Sequence, residues 1–316
     1  MKIEQNNPKD NRPKKKGCDE AIVRRFKMRL DLIFAYNGLG NQGSTCYLNS
    51  VLQVFFMTKD FRGAVESHVS QDQKNIDFQL KSLFKTLKTS EAHPKDILTI
   101  LNISNVYKQR DAAEYFEMIL NKVHPDLSQI FKGHLRHTTR CSKRHVTGVE
   151  TGPFWTLPLS LKALSESNKS CSVRKCFEEF FQPLTVCGIY CDQCEGKTDA
   201  TIACELIQSP EILTLLLKRF EFDNHSMSYV KIESQVDVPH IYHAKDCTYE
   251  LYAVVDHVGS LRGGHYTATI KSYEDHNWYR FDDTYVRPDT SQVSQQGESF
   301  SSEKAYLLMY RKELYL

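Results

Sequence analysis

A chain of 316 residues carrying 41 basic and 39 acidic side chains has a net charge of only +2, which argues against a nucleic-acid binder. Its longest apolar runs, such as ILTLLL at 212–217, are too short to cross a bilayer, and 41% hydrophobic with 25% charged residues is the composition of a soluble globular protein. Ten cysteines with no N-terminal apolar stretch read as reduced thiols in cytosol or nucleus, used for catalysis or metal binding rather than a disulfide frame.

Residues 1–30 read as a polar, basic tail. The run Lys14-Lys15-Lys16 is either a solvated end or an address read by an acidic partner or the nucleus. The stretch 36–56, YNGLGNQGSTCYLNSVLQVFF, is different. Leu48, Val51, Leu52, Phe55 and Phe56 repeat at helical spacing, and the preceding glycines, with Asn41, Ser44 and Thr45 among them, form a loop. That loop delivers Cys46 to the first turn of a helix, where free N–H groups and the helix dipole favour a thiolate. Read alone, Cys46 is either this nucleophile or a small buried cysteine.

Helical spacing continues through Phe78–Leu87, a short segment opened by Pro94 and Asp96, and a third opened by Asp111. Asp111 and Glu114 suit a helix N-terminus and by themselves need no other role. After Pro125 the segments become short, β-branched and aromatic: GHLRHTTRC, FWTLPLSL, ILTLLLKRF, YELYAVV, YTATI, WYRF and AYLLMY. Val173–Phe181 interrupts them as a helix, and Ser291–Ser302 reads as a polar loop. The plan is α+β, with a helical first half and a sheet-rich second half enclosing a cleft.

The second half supplies a base. GGHYTATI and WYRFDD are close enough to pair as a hairpin. With Ile270 opposite Asn277, Tyr266 and Ala268 share one apolar face with Phe281 and Tyr279, and His265 stands opposite Asp282. Such neighbours have Cβ atoms about 4.5–5.5 Å apart, so the Asp282 carboxylate can orient the imidazole. Asp283 points the other way. His257, in VVDHVG, is the competing base but has no acid on its face, and reads as a wall of the site. The set is Cys46 as nucleophile, His265 as base and Asp282 as orienter, with the Cys46 N–H and the Asn41 carboxamide as oxyanion donors.

At these residues the chain resembles the ubiquitin-specific proteases. GLGNQGSTCYLNSVLQ is similar to their Cys box and GGHYTATI with WYRFDD to their His box. QRDAAEYFEMIL, LLLKRFEF and AYLLMYRK match in the same order, over roughly 36–312. The resemblance implies a papain-like cysteine protease of thumb, palm and fingers. It implies hydrolysis after the C-terminal glycine of ubiquitin, with ubiquitin and ubiquitinated proteins as partners and no cofactor needed for catalysis. It assigns Cys46, His265, Asp282 and Asn41 to the catalytic machinery. Asp111 and Glu114 are assigned to the basic ubiquitin tail, and Gly263 and Gly264 to a channel that only a diglycine threads. Alternatives of another kind are a catalytically weak ubiquitin-binding pseudoenzyme and a protease for a ubiquitin-like modifier.

Family members often hold structural zinc in the fingers with two Cys-x-x-Cys knuckles. Here Cys191-Asp-Gln-Cys194 is intact, whereas the other reads Cys141-Ser-Lys-Arg144-His145. A Cys₃His zinc site of Cys141, His145, Cys191 and Cys194 is chemically sound, and a degenerate site whose thiols merely pack is the alternative.

Overall fold

The computed structural model describes residues 36–313 apart from 71, 162–170, 225–226, 245–246, 262 and 296, so the tail expected at 1–30 lies outside the described residues. The first half is helical: α1 Cys46–Met57, α2 Lys59–Ser67, α3 Ile76–Leu87, α4 Lys95–Ile100, α5 Ala112–Lys122 and α6 Pro125–Ser128. Every residue of α1 is buried, more than the one-sided stripe requires, because helices cover one side and a sheet the other. Phe55 stacks on Phe116 of α5 at 5.0 Å, with Phe61 and Phe131 closing around it. Burying such rings is the main stabilisation of this half.

The second half contains β1 Gly133–Cys141, β2 Val146–Phe154, β3 Leu157–Ser160, β4 Cys171–Ser172 and the helix α7 Val173–Phe180. It continues with β5 Leu184–Cys191, β6 Gly196–Gln208, β7 Ile212–Lys218, β8 Phe220–Asp223, β9 Ser228–Lys231, β10 Val236–Pro239 and β11 Ile241–Ala244. The last are β12 Cys247–Ser260, β13 Gly263–Lys271, β14 Trp278–Asp282, β15 Tyr285–Pro288, β16 Ser299–Ser302 and β17 Ala305–Lys312.

A long sheet runs β15-β14-β13-β12-β17-β7-β3, with β11 joining β12, and α1 packs against its strand β13. A separate antiparallel sheet, β2-β1-β6-β5, carries little buried side-chain surface. The α+β architecture with helical thumb, sheet palm and sheet fingers is the expected one. One expectation fails locally: the polar stretch 291–302 is not all loop, since β16 pairs with β10 and buries Phe300 in the palm. Among the described residues, no helix is long and apolar enough to cross a membrane.

Candidate active site

Cys46 opens α1, and its loop is built by side chains rather than by regular structure. Thr45, the N-cap, does not cap the helix. Its hydroxyl accepts from Gln42 N–H at 3.0 Å and donates to Asn41 Oδ1 at 3.2 Å. Asn41 Oδ1 also accepts from the N–H groups of Gly43 and Thr45 at 2.9 and 3.1 Å. The loop therefore folds around one carboxamide oxygen.

Two donors hold the buried sulfur, the Tyr266 N–H at 3.4 Å and the Gln109 Nε2 at 3.5 Å, and the His265 imidazole acts on it electrostatically. Burial pushes the Cys46 thiol up, but His265 and the hydrogen bonds from Tyr266 and Gln109 outweigh it and the net shift is downward. Cys46 is also the largest influence on His265; burial opposes it and Asp282 adds to it, carrying the imidazole up to about 9. A lowered thiol beside a raised imidazole is the direction that favours a thiolate–imidazolium pair.

His265 Nε2 lies 2.7 Å from Asp282 Oδ1, so nucleophile, base and orienter are brought together. The hairpin register differs from the expected one by two residues. Ala268 faces Phe281 and Ile270 faces Tyr279, and Asp282 reaches His265 diagonally. The cause is the turn. Ser272 N–H bonds Asn277 O at 2.8 Å, His276 takes a left-handed φ of 58°, and the Ser272 hydroxyl accepts from the N–H groups of 274 and 275. This moves the centre of the turn one residue further along the chain than the one assumed. A shift of two preserves faces, which is why the pair survives.

Asp283 was expected to point away from His265, but one of its carboxylate oxygens lies within 4.8 Å of an imidazole nitrogen, while its hydrogen bonds go to the Cys loop. Its Oδ2 accepts from Asn41 Nδ2 at 2.8 Å, its Oδ1 from Asn49 Nδ2 at 2.8 Å, and its carbonyl from Leu39 N–H at 2.8 Å. A left-handed φ of 52° re-aims the residue, and Gly38 admits it: a Cβ there would stand 2.5 Å from the Asp283 carbonyl oxygen. Sequence reasoning missed Gln109, Asn49 and Asp283 as parts of the site. The one local signal was Asn49, a polar residue within a helix that turned out to have no exposed face.

Asp111 is the N-cap of α5, its Oδ1 accepting from Ala113 and Glu114 N–H at 2.7 and 3.1 Å, and Glu114 is exposed in the first turn. Gly263 and Gly264 begin β13 beside His265. Gly264 seats His257, since a Cβ would stand 2.0 Å from its Nε2. Burial first, then the charges of Lys231 and His265, push His257 down to about 4, so it is neutral. Its ring nitrogens are buried with no hydrogen-bond partner among the described residues. It packs on Tyr266 at 4.5 Å and Phe220 at 5.0 Å, a wall and not the base.

A family model described as ubiquitin carboxyl-terminal hydrolase matches residues 37–310. The chain belongs to this family. Among its hydrolase relatives, ubiquitin carboxyl-terminal hydrolase 47 of Mus musculus is 26% identical over 376 residues, covering 87% of this chain and 27% of that protein. Ubiquitin carboxyl-terminal hydrolase 5 of Schizosaccharomyces pombe is 27% identical over 280 residues, covering 79% and 25%. Ubiquitin carboxyl-terminal hydrolase 12 of Salmo salar is 28% identical over 341 residues, covering 87% and 89%. The chain thus spans only 27% of the first of these hydrolases and most of the third.

In this chain the fingers bring the four expected metal donors together. The ligand atoms of Cys141, His145, Cys191 and Cys194 all lie within 4.8 Å of one another, with His145 Nδ1 3.3 Å from Cys194 Sγ and 3.7 Å from Cys191 Sγ. Burial pushes the Cys141 thiol up, yet backbone N–H groups of His145 and Lys143 and the neighbouring thiols bring it down overall. Two turns, with Arg144 at φ 68° and Glu195 at φ 53°, aim the donors inward. Arg144 thus occupies a turn position, and the imidazole one residue later fills the fourth corner. Donor set and spacing fit a tetrahedral ion.

Proposed function

We propose that this chain is a thiol-dependent deubiquitinase that hydrolyses the isopeptide or peptide bond after the C-terminal glycine of ubiquitin. The observation that carries the reading is the buried Cys46 sulfur, held by the Tyr266 N–H and the Gln109 amide beside the His265–Asp282 pair. The family supports ubiquitin as substrate, and the first-turn acids of α5 suit a basic tail.

In this mechanism the Cys46 thiolate attacks the scissile carbonyl. The Cys46 N–H receives the developing oxyanion together with Asn41. A primary amide has two N–H bonds, so Asn41 keeps one on Asp283 and offers the other. The His265 imidazolium protonates the leaving amine, and the neutral imidazole then activates water for release of ubiquitin. Asp282 holds the ring and supports its charge. Asp111 and Glu114 pair with the tail's cations, and His257, Gly263 and Gly264 line the channel for its diglycine. Catalysis needs no metal in this scheme. Cys141, His145, Cys191 and Cys194 would hold a zinc in the fingers, where it would be structural and offset the charge of the fingertip thiolates.

The test is reaction with ubiquitin bearing a C-terminal electrophile. Wild type forms a covalent adduct and Cys46→Ala does not. No adduct with ubiquitin still bound points to a pseudoenzyme, and adduct formation only with a ubiquitin-like modifier reassigns the substrate.

A further inference from the structure

The N-terminus of α5 is held from the palm by a tyrosine. Tyr306 of β17 donates its hydroxyl to Asp111 Oδ2, and Tyr266 of β13 packs beside it. Asp111 Oδ1 is already occupied by the Ala113 and Glu114 N–H groups, so Tyr306 pins the second oxygen. The Tyr306 ring is 4% exposed and packs at 5.7 Å on Tyr266, 5.8 Å on Phe220 and 6.3 Å on His257, which leaves the hydroxyl one direction to point. Burial and the Asp111 charge push that hydroxyl well above its ordinary range, so it donates at every working pH. Tyr266 adjoins the thiol, because its backbone N–H bonds the Cys46 sulfur. Tyr306 belongs to the helix cap without that link.

We infer that Tyr306 is a positioning residue that fixes the plane of the Asp111 carboxylate and so sets affinity for a cationic tail. It acts on substrate binding and leaves the thiol chemistry alone. The inference rests on the deubiquitinase reading above. A capping carboxylate held through one oxygen can rock about its Cβ–Cγ bond. One held through both presents a fixed fork, and a guanidinium, with its planar pair of donors, rewards a fixed fork. Asp111 is only partly buried, which leaves its carboxylate within reach of a tail arginine.

Tyr306→Phe removes one oxygen and keeps the ring packing. Steady-state hydrolysis is measured on a fluorogenic amide of ubiquitin and on the same conjugate with the tail arginines replaced by glutamine. The alkylation rate of Cys46 by iodoacetamide and the thermal midpoint are followed alongside. On the native tail KM rises about five- to thirtyfold while kcat stays within about twofold, as for loss of a charge-assisted hydrogen bond. On the neutral tail KM moves by less than about twofold, and alkylation is unchanged. Added to Asp111→Asn, the same substitution has little further effect on KM. A KM that is unchanged or lower on the native tail, or an equal rise on both tails, overturns the inference. Failure of wild type to cleave either conjugate would sink the deubiquitinase reading instead.

Discussion

Asp283→Ala removes the carboxylate that joins the Cys loop, the catalytic helix and the end of β14. Two amide bonds of 2.8 Å are lost, to Asn41 and Asn49. They are not equal. Asn41 is exposed, so water replaces its partner at little cost in stability. Asn49 is 2% exposed, and its amide is left short of an acceptor, which costs about 1–3 kcal/mol. A loss of about 2 kcal/mol lowers the thermal midpoint of a domain this size by about 4–8 °C. The catalytic cost comes through Asn41, whose amide then rotates freely. Loss of a whole oxyanion donor costs about 10²–10³ in kcat, and a loosened donor sits near the lower end, about 10². The assay is kcat on a fluorogenic ubiquitin amide at a temperature well below the variant's midpoint. Asp283→Asn, which can accept from only one of the two amides, falls between. Wild-type kcat in Asp283→Ala would show that the clamp does not organise the site.

Asp282→Asn acts on protonation instead. Wild-type kcat/KM rises as Cys46 ionises below the ordinary thiol range and falls as His265 loses its proton near about 9. Asp282 is one of the groups raising His265, so its loss lowers the imidazole and moves the alkaline limb of the pH–rate profile to lower pH. An alkaline limb that stays in place would contradict the assigned role. Gly264→Ala puts a Cβ 2.0 Å from His257 Nε2 and 2.8 Å from Val258 O, an overpacking worth about 1–3 kcal/mol in denaturant titration. Gly263→Ala meets only Ser260 Oγ at 3.6 Å, leaves stability unchanged and slows ubiquitin hydrolysis by crowding the tail. Elemental analysis of the purified protein gives one zinc per chain, lost in Cys191→Ser; a wild-type ratio near zero means that the fingertip thiols only pack.

The thumb and palm were legible because their residues bury one side. A helical stripe announces α1, α3 and α5, and ILTLLLK announces a central strand. The fingers were not. β2 has no buried residue and β5 only Cys191, so neither shows the alternation that marks a strand with a core. β16 was hidden in polar sequence because one Phe is all it buries. Cys46, His265 and Asp282 stood out because glycines, a helix start and strand parity act locally. The hairpin register slipped because it depends on how Ser272 ties its turn. Gln109 reaches Cys46 and Asp283 reaches Asn49 only through tertiary structure, across 63 and 234 residues, and no local pattern carries that.

The strand order places the catalytic groups in regions of unequal local stability. Cys46 opens a helix enclosed on all sides, while Asp282 lies on β14, covered outwardly only by the four-residue edge strand β15. Amides of Val51–Phe55 should exchange with solvent only through global unfolding, and those of β14 and β15 through cheaper opening of the edge. Mild denaturant would then disarm the site while the core is intact, the sulfur still in place and the imidazole unsupported. Trp278, at the start of β14, would report that opening by fluorescence ahead of the loss of helical circular dichroism.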